Sequence, residues 1–152
     1  MSTETAPIEE RPCAVADEAS APFFAGLQER RLMIQRCEEC GACQIGEYHC
    51  NVCHSARLQW TQAGGHATLY SFVIMHMAYH PGFAARLPYN AAVVELAEGP
   101  RFYSSVVDCR NEDLVVGMPL IADFEERGTA VMPVFRCDAS ALVRSGIDQG
   151  SV

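Results

Sequence analysis

Cys37-Glu38-Glu39-Cys40-Gly41 and Cys50-Asn51-Val52-Cys53 form two C-x-x-C elements separated by nine residues. A two-residue spacer lets both sulfurs of each pair turn toward one point, and Gly41 frees the backbone to curl beneath it. Two such knuckles supply four thiolates, the tetrahedral soft-donor set that selects zinc. The intervening segment is shorter than in many zinc ribbons but is long enough for a β-turn-β unit. Metal binding to such a set contributes on the order of 10 kcal/mol to folding. The expected ligands are Cys37, Cys40, Cys50 and Cys53, holding one structural zinc. Cys43 forms a further C-x-x-C with Cys40, and His49 and His54 flank the second knuckle. A set that exchanges Cys43 for Cys37, a Cys3His set, and iron in place of zinc therefore stay open. Four thiolates close the coordination sphere, which argues for a structural rather than a catalytic metal.

The remaining composition places this unit in a small globular protein. The chain has 152 residues and is 49% hydrophobic, enough for one domain with an appendage. Five of its eight cysteines crowd into residues 37–53, a distribution that suits metal chemistry and not a disulfide framework. No apolar run approaches the roughly 18–20 residues of a membrane helix. The opening MSTETAPIEERP lacks the basic start and hydrophobic block of a secretory signal, so a cytoplasmic location is expected. All eleven basic residues are arginine and the net charge is −8. Without lysine, no Schiff base can form. Residues 61–137 carry five arginines against eight acids, and no dense basic stripe exists to draw a phosphate backbone.

Around the cysteines, the pattern divides the chain into five parts. Residues 1–19 lack periodicity and read as a flexible arm. In residues 20–31, Ser20 is placed to cap, Pro22 suits a first turn, and Phe23, Phe24 and Leu27 share a face, which predicts a short helix. Residues 32–62 form the ribbon, with Trp60 expected to pack between ribbon and barrel. Residues 63–137 hold five candidate strands rich in Val, Ile, Tyr and Phe: 66–76, 89–97, 101–108, 119–126 and 131–137. Glu98-Gly99-Pro100 and Arg127-Gly128-Thr129 mark hairpins. Five short strands with a break after the third suit a Greek-key barrel of the OB type, with a split sandwich as the alternative. Residues 138–152 are a polar tail. The fold class is thus mainly β: an N-terminal helix, a zinc ribbon, then a five-stranded OB-type barrel.

The motifs in order are the aromatic helix, Leu32-Met33-Ile34-Gln35-Arg36-Cys37, the two knuckles, Trp60, Gly64 and Tyr70-Ser71-Phe72. After them come Val94-Glu95-Leu96, Glu98-Gly99-Pro100-Arg101, Val116-Gly117-Met118-Pro119-Leu120 and Phe135-Arg136. This series resembles the zinc-ribbon OB-fold family once filed as "domain of unknown function thirty-five", over residues 20–137. The resemblance implies a rubredoxin-like ribbon before the barrel. It also implies a small subunit beside a thiolase-like protein, in acyl-CoA thiolysis, condensation or retro-aldol cleavage. Two departures stand out. His54 occupies a position where glycine often follows the second knuckle, and Gln44-Ile45-Gly46-Glu47-Tyr48 replaces a proline-rich stretch.

The chemistry fits a supporting role, because cysteines committed to zinc are poor nucleophiles and a Claisen step needs an activated cysteine, a base and an oxyanion hole. Catalysis is therefore assigned to the partner chain. The ribbon and helix are the expected contact surface with the thiolase-like subunit. The loop 77–88, with His76, His80, Phe83, Arg86, Leu87 and Tyr89 in or beside it, is the candidate lip of an acyl-CoA channel: arginine for the phosphates, Phe83 and Leu87 for the acyl chain. The alternative function is a single-stranded nucleic-acid module, since zinc ribbons and OB barrels both serve that role; the charge balance counts against it.

Overall fold

A computed structural model describes residues 11–144. The expected arm therefore lies outside the described residues over 1–10, and the expected tail over 145–152. Helix α1 (Ala21–Gln28) buries Phe23, Gly26 and Leu27 against β1 (Met33–Cys37) and β9 (Ala130–Cys137). Its approach to β1 is close: a Cβ on Gly26 would lie 2.4 Å from Met33 Cγ and 3.0 Å from the Arg31 carbonyl oxygen. The Ser20 side chain does not cap the helix. Its hydroxyl instead accepts from the Asp17 amide at 3.0 Å, while the Asp17 carboxylate accepts from the Ser20 amide at 2.8 Å. The helix ends before the expected Arg31 because Arg30 adopts a left-handed conformation, φ 56°. The Arg31 amide then reaches back to the Gly26 carbonyl at 2.8 Å, a common helix terminus.

The ribbon is a three-stranded antiparallel sheet in the order β2 (Cys43–Gln44), β1, β3 (Leu58–Gln62). Two buried glutamines order the loop between the knuckles. Gln35 donates to the Glu47 carbonyl and accepts from the Glu47 amide, both at 2.9 Å. Gln44 donates to the His49 carbonyl and accepts from the Asn51 amide, again both at 2.9 Å. Each carboxamide thus copies the donor–acceptor pair of a strand neighbour. Trp60 on β3, opposite Gln35, is partly buried against the main core.

Beyond the ribbon lie β4 (His66–Met75), β5 (Tyr89–Leu96), β6 (Arg101–Ser104), β7 (Val106–Val107), β8 (Pro119–Arg127) and β9. They form one sheet in the order β6-β5-β4-β8-β9-β7. Its two ends, β6 and β7, are consecutive in the chain and separated only by Ser105, so the sheet closes into an OB-type barrel. The stretch 101–108, expected as one strand, breaks there because it must serve both edges: β6 pairs antiparallel with β5, and β7 parallel with β9. A register shift between Leu69 and Ser71 bends β4, as a bulge does. The core is continuous from helix to barrel, joining Phe23, Leu27 and Ile34 to Leu69, Val94, Leu120 and Phe135.

Asn90 staples the break. Its buried side chain donates to the Val106 carbonyl at 2.8 Å and accepts from the Val106 amide at 2.8 Å. Asn90 Nδ2 also donates to Asn111 Oδ1 at 3.3 Å. Replacing Asn90 with alanine strands two buried backbone groups. Asn90→Ala is expected to cost about 2–4 kcal/mol, read as a lower midpoint in urea unfolding with an unchanged slope.

Candidate functional site

The two knuckles meet at the end of the ribbon. The Sγ atoms of Cys37, Cys40, Cys50 and Cys53 all lie within 4.8 Å of one another. The Cys37–Cys53 and Cys40–Cys50 pairs are 3.5 Å apart. A tetrahedron with metal–sulfur bonds near 2.3 Å has sulfur–sulfur edges of about 3.8 Å, so this donor set fits a tetrahedral soft ion. The two halves repeat one backbone pattern: the Gly41 amide donates to the Cys37 carbonyl and the His54 amide to the Cys50 carbonyl, each at 2.9 Å. Gly41 and His54 both take left-handed φ, 76° and 62°. His54 thus holds, with a side chain, the conformation glycine adopts freely.

Backbone amides also face the sulfurs. The Cys53 and Val52 amides hold the Cys50 thiol down at about 6, with Val52 N at 3.4 Å. The Cys40 amide lowers the Cys37 thiol in the same way. Amide donation of this kind favours the thiolate that a metal needs. Cys43 stands apart from the cluster on β2, its sulfur 3.9 Å from the Gly41 carbonyl oxygen.

A cavity of about 670 Å³ opens where α1 and the ribbon loop meet the barrel seam. Phe23 and Phe24 of α1, in edge-to-face contact at 5.3 Å, and Ile45 of the ribbon form one wall. Phe83 and Tyr89, stacked with centroids 5.0 Å apart, form another. The polar end is an arginine cluster on one carboxylate: Glu125 accepts from Arg11 at 2.9 Å, Arg86 at 3.1 Å and Arg127 at 3.1 Å. All three arginines line the cavity, and with Glu125 the group carries a formal charge of +2. Burial opposes ionisation of Glu125, but the Arg11 and Arg127 guanidiniums prevail and hold its carboxyl down at about 2.

Three of the residues named from the sequence, Phe83, Arg86 and Tyr89, line this cavity, whereas His76, His80 and Leu87 do not. His80 instead starts a short 3-10 helix, Pro81–Arg86, its Nδ1 accepting from the Gly82 amide at 3.1 Å. His76 is exposed. Arg11, Glu125 and Arg127 were missed. Arg11 sits in a stretch read as an arm, 114 residues from its carboxylate partner, and no local spacing signals such a pair.

The fold and the knuckles define a protein with a four-cysteine, metal-competent ribbon followed by an OB-type barrel. Residues 60–125 match the family described as ChsH2, C-terminal OB-fold domain. A DUF35 domain-containing scaffold protein of Methanocaldococcus jannaschii is 31% identical over 101 residues, covering 64% of this chain and 71% of its own. A probable enoyl-CoA hydratase alpha subunit of Thermomonospora curvata is 33% identical over 142 residues, 88% of this chain. This chain spans only 42% of that relative's length. Among solved structures, a chain of the Ltp2-ChsH2(DUF35) aldolase superposes with a TM-score of 0.74 at 32% identity, covering 84% of this chain and 98% of that one. A DUF35 family protein from Sulfolobus solfataricus shares the fold alone, with a TM-score of 0.59 at 16% identity over 80% of this chain and 86% of that one. The chain belongs to the DUF35 family. Among the described residues, no helix is long and apolar enough to cross a membrane.

Two outcomes are expected. Cys37→Ser and Cys53→Ser should each lose bound metal and thermal stability, while Cys43→Ser keeps both; elemental analysis and melting curves decide. The Glu125 carboxyl sits below its unfolded value of about 4.5, so its stabilisation is complete above that pH and is lost as pH falls through the folded value near 2. Discounted for solvent screening, this amounts to about 1–2 kcal/mol. Stability should therefore decline less between pH 5 and pH 2 (roughly the window set by these values) in Glu125→Gln than in the unmodified chain.

Proposed function

We propose that this chain is a non-catalytic accessory subunit of an acyl-CoA enzyme with a thiolase-like partner. In this reading, Cys37, Cys40, Cys50 and Cys53 hold one structural zinc that fixes the ribbon. The cavity beside α1 shelters part of a coenzyme A thioester. The observation that carries the proposal is the cavity's two-ended chemistry: a positively charged arginine cluster at one end and aromatic walls elsewhere. A coenzyme A thioester has the matching form, with phosphates at one end and an apolar acyl group at the other. Guanidinium forks suit phosphate oxygens, and stacked rings suit an apolar chain. Phe83, Arg86 and Tyr89 make the contact, with Arg11 and Arg127 as further anion partners. His76 and His80 serve only at the rim.

The names of the relatives support the same role, since one is a scaffold, one a hydratase subunit and one a chain of an aldolase. Catalysis falls to the partner. The cavity's lining is dominated by arginines, aromatics and aliphatic side chains and holds no histidine to act as a base for its Cys109, which suits binding more than a Claisen-type step. A ribbon whose loops are fixed by metal presents a contact surface at little entropic cost, so ribbon and helix are the surface offered to the partner.

Alone, the chain should neither cleave nor condense acyl-CoA thioesters. With the thiolase-like protein it should form a stable hetero-oligomer and raise turnover. In that complex, Arg86→Ala and Arg127→Ala should raise KM for acyl-CoA by about tenfold, the loss of one charge-assisted contact, while zinc content is unchanged. Full activity of the partner without complex formation at micromolar concentrations refutes the proposal. Sub-micromolar binding of a labelled oligonucleotide that weakens steeply with salt transfers it to the nucleic-acid reading.

A further inference from the structure

Two thiols outside the metal centre, Cys109 and Cys137, line a second cavity of about 580 Å³, together with Arg110, Val115 and Met118. They belong to different segments. Cys137 ends β9, paired with Leu120 of β8. Cys109 lies just past β7. The parallel register sets Val106 beside Phe135 and Val107 beside Arg136. That ladder ends at Val107 and Arg136, two residues before Cys109 and one before Cys137. Asp108 takes a left-handed conformation, φ 54°, so the chain turns there and does not run straight on. Neighbouring strands lie about 4.8 Å apart, and disulfides span Cα separations of about 4.4–6.8 Å. Both side chains are half-buried, close enough to the surface for a small oxidant to reach them.

We propose that Cys109 and Cys137 form a reversible disulfide, an oxidation site separate from the four-cysteine centre, with hydrogen peroxide as the oxidant. One thiolate attacks the peroxide, forming a sulfur–oxygen bond as the O–O bond breaks and hydroxide leaves to take up a proton as water. The second thiolate attacks that sulfur, the S–S bond forms, and the S–O bond breaks to release a second water. Two thiols lose two protons and two electrons, and one peroxide is reduced to two waters. An external dithiol reverses the bond by exchange. Burial pushes the Cys109 thiol up, and Cys137 beside it adds to the effect. Whichever thiol attacks the peroxide, the other resolves the sulfenic acid. The bond ties the segment holding the short 3-10 helix Asn111–Asp113 to the end of β9.

The test uses the full chain with its metal. Protein is exposed to a small molar excess of hydrogen peroxide, free thiols are alkylated, and the unreduced protein is digested with trypsin. Metal content is followed in the same samples, so oxidation of the four-cysteine centre is scored separately. Residues 102–110 and 137–144 should appear as one cross-linked peptide, lighter than the two free peptides by a pair of hydrogens and lost on treatment with dithiothreitol. Cys109→Ser should abolish the cross-link. If peroxide doses that oxidise the exposed Cys13 leave Cys109 and Cys137 singly alkylated, the proposal is overturned. A cross-link from either residue to a different cysteine overturns it equally.

Discussion

The barrel exists because one extended segment is shared between two edges of the same sheet. Residues 101–107 pair with β5 on one side of Ser105 and with β9 on the other, and closure removes the open edges that a small sheet would otherwise expose. A break in a ladder leaves backbone groups without partners, and buried ones are costly. Asn90 supplies both a donor and an acceptor to Val106, while the Ser105 carbonyl accepts from the Phe135 amide at 2.9 Å. The seam is therefore satisfied without being regular. The larger cavity forms at that seam, with Asn90, Ser104, Ser105 and Val106 in its lining. Closure and cavity have one origin.

The remaining walls come from elements that could not fold alone. A helix of eight residues is too short to be stable by itself in water, and the ribbon is too small to bury a core of its own. Both are stabilised by sharing the barrel's core, through Phe23, Leu27, Leu32 and Ile34. The same packing carries Phe23, Phe24 and Ile45 to the rim of the cavity. Its polar end is drawn together by electrostatics: Glu125 gathers Arg11 and Arg86 from distant segments beside Arg127 of its own strand. One carboxylate thus concentrates positive charge, because it satisfies part of each guanidinium fork and leaves other donors free.

Much of this was legible beforehand, for physical reasons. Paired C-x-x-C elements constrain geometry through a few bonds of fixed length. The Tyr- and Val-rich run Tyr89–Leu96, bounded by turn residues, reports a strand, and Gly99 and Gly128 mark turns. What escaped was long-range or conformational. Nothing in Phe102-Tyr103-Ser104-Ser105-Val106-Val107 announces that the strand changes partners, since both halves favour extended backbone. Ser20 has the composition of a cap, but Asp17 competes for its hydroxyl and wins. Arg86 and Phe83 could be named because their loop stood out; Arg11 could not, because its carboxylate partner lies 114 residues along the chain, and Arg127, two residues from Glu125 on β8, read only as part of a hairpin.

His54 carries a further lesson about how such ribbons change over evolutionary time. Its left-handed backbone is one that glycine adopts freely and side chains adopt only at a cost, histidine more readily than most, and the second knuckle keeps the hydrogen bonds of the first. A penalty on the order of 1 kcal/mol at one residue is small beside the free energy that four thiolates gain from a bound ion. Chelation therefore widens the set of residues the turn can accept. Sequence drift in the turns of a metal-held ribbon is buffered, so a lost glycine is weak grounds for assigning a sequence to a different fold.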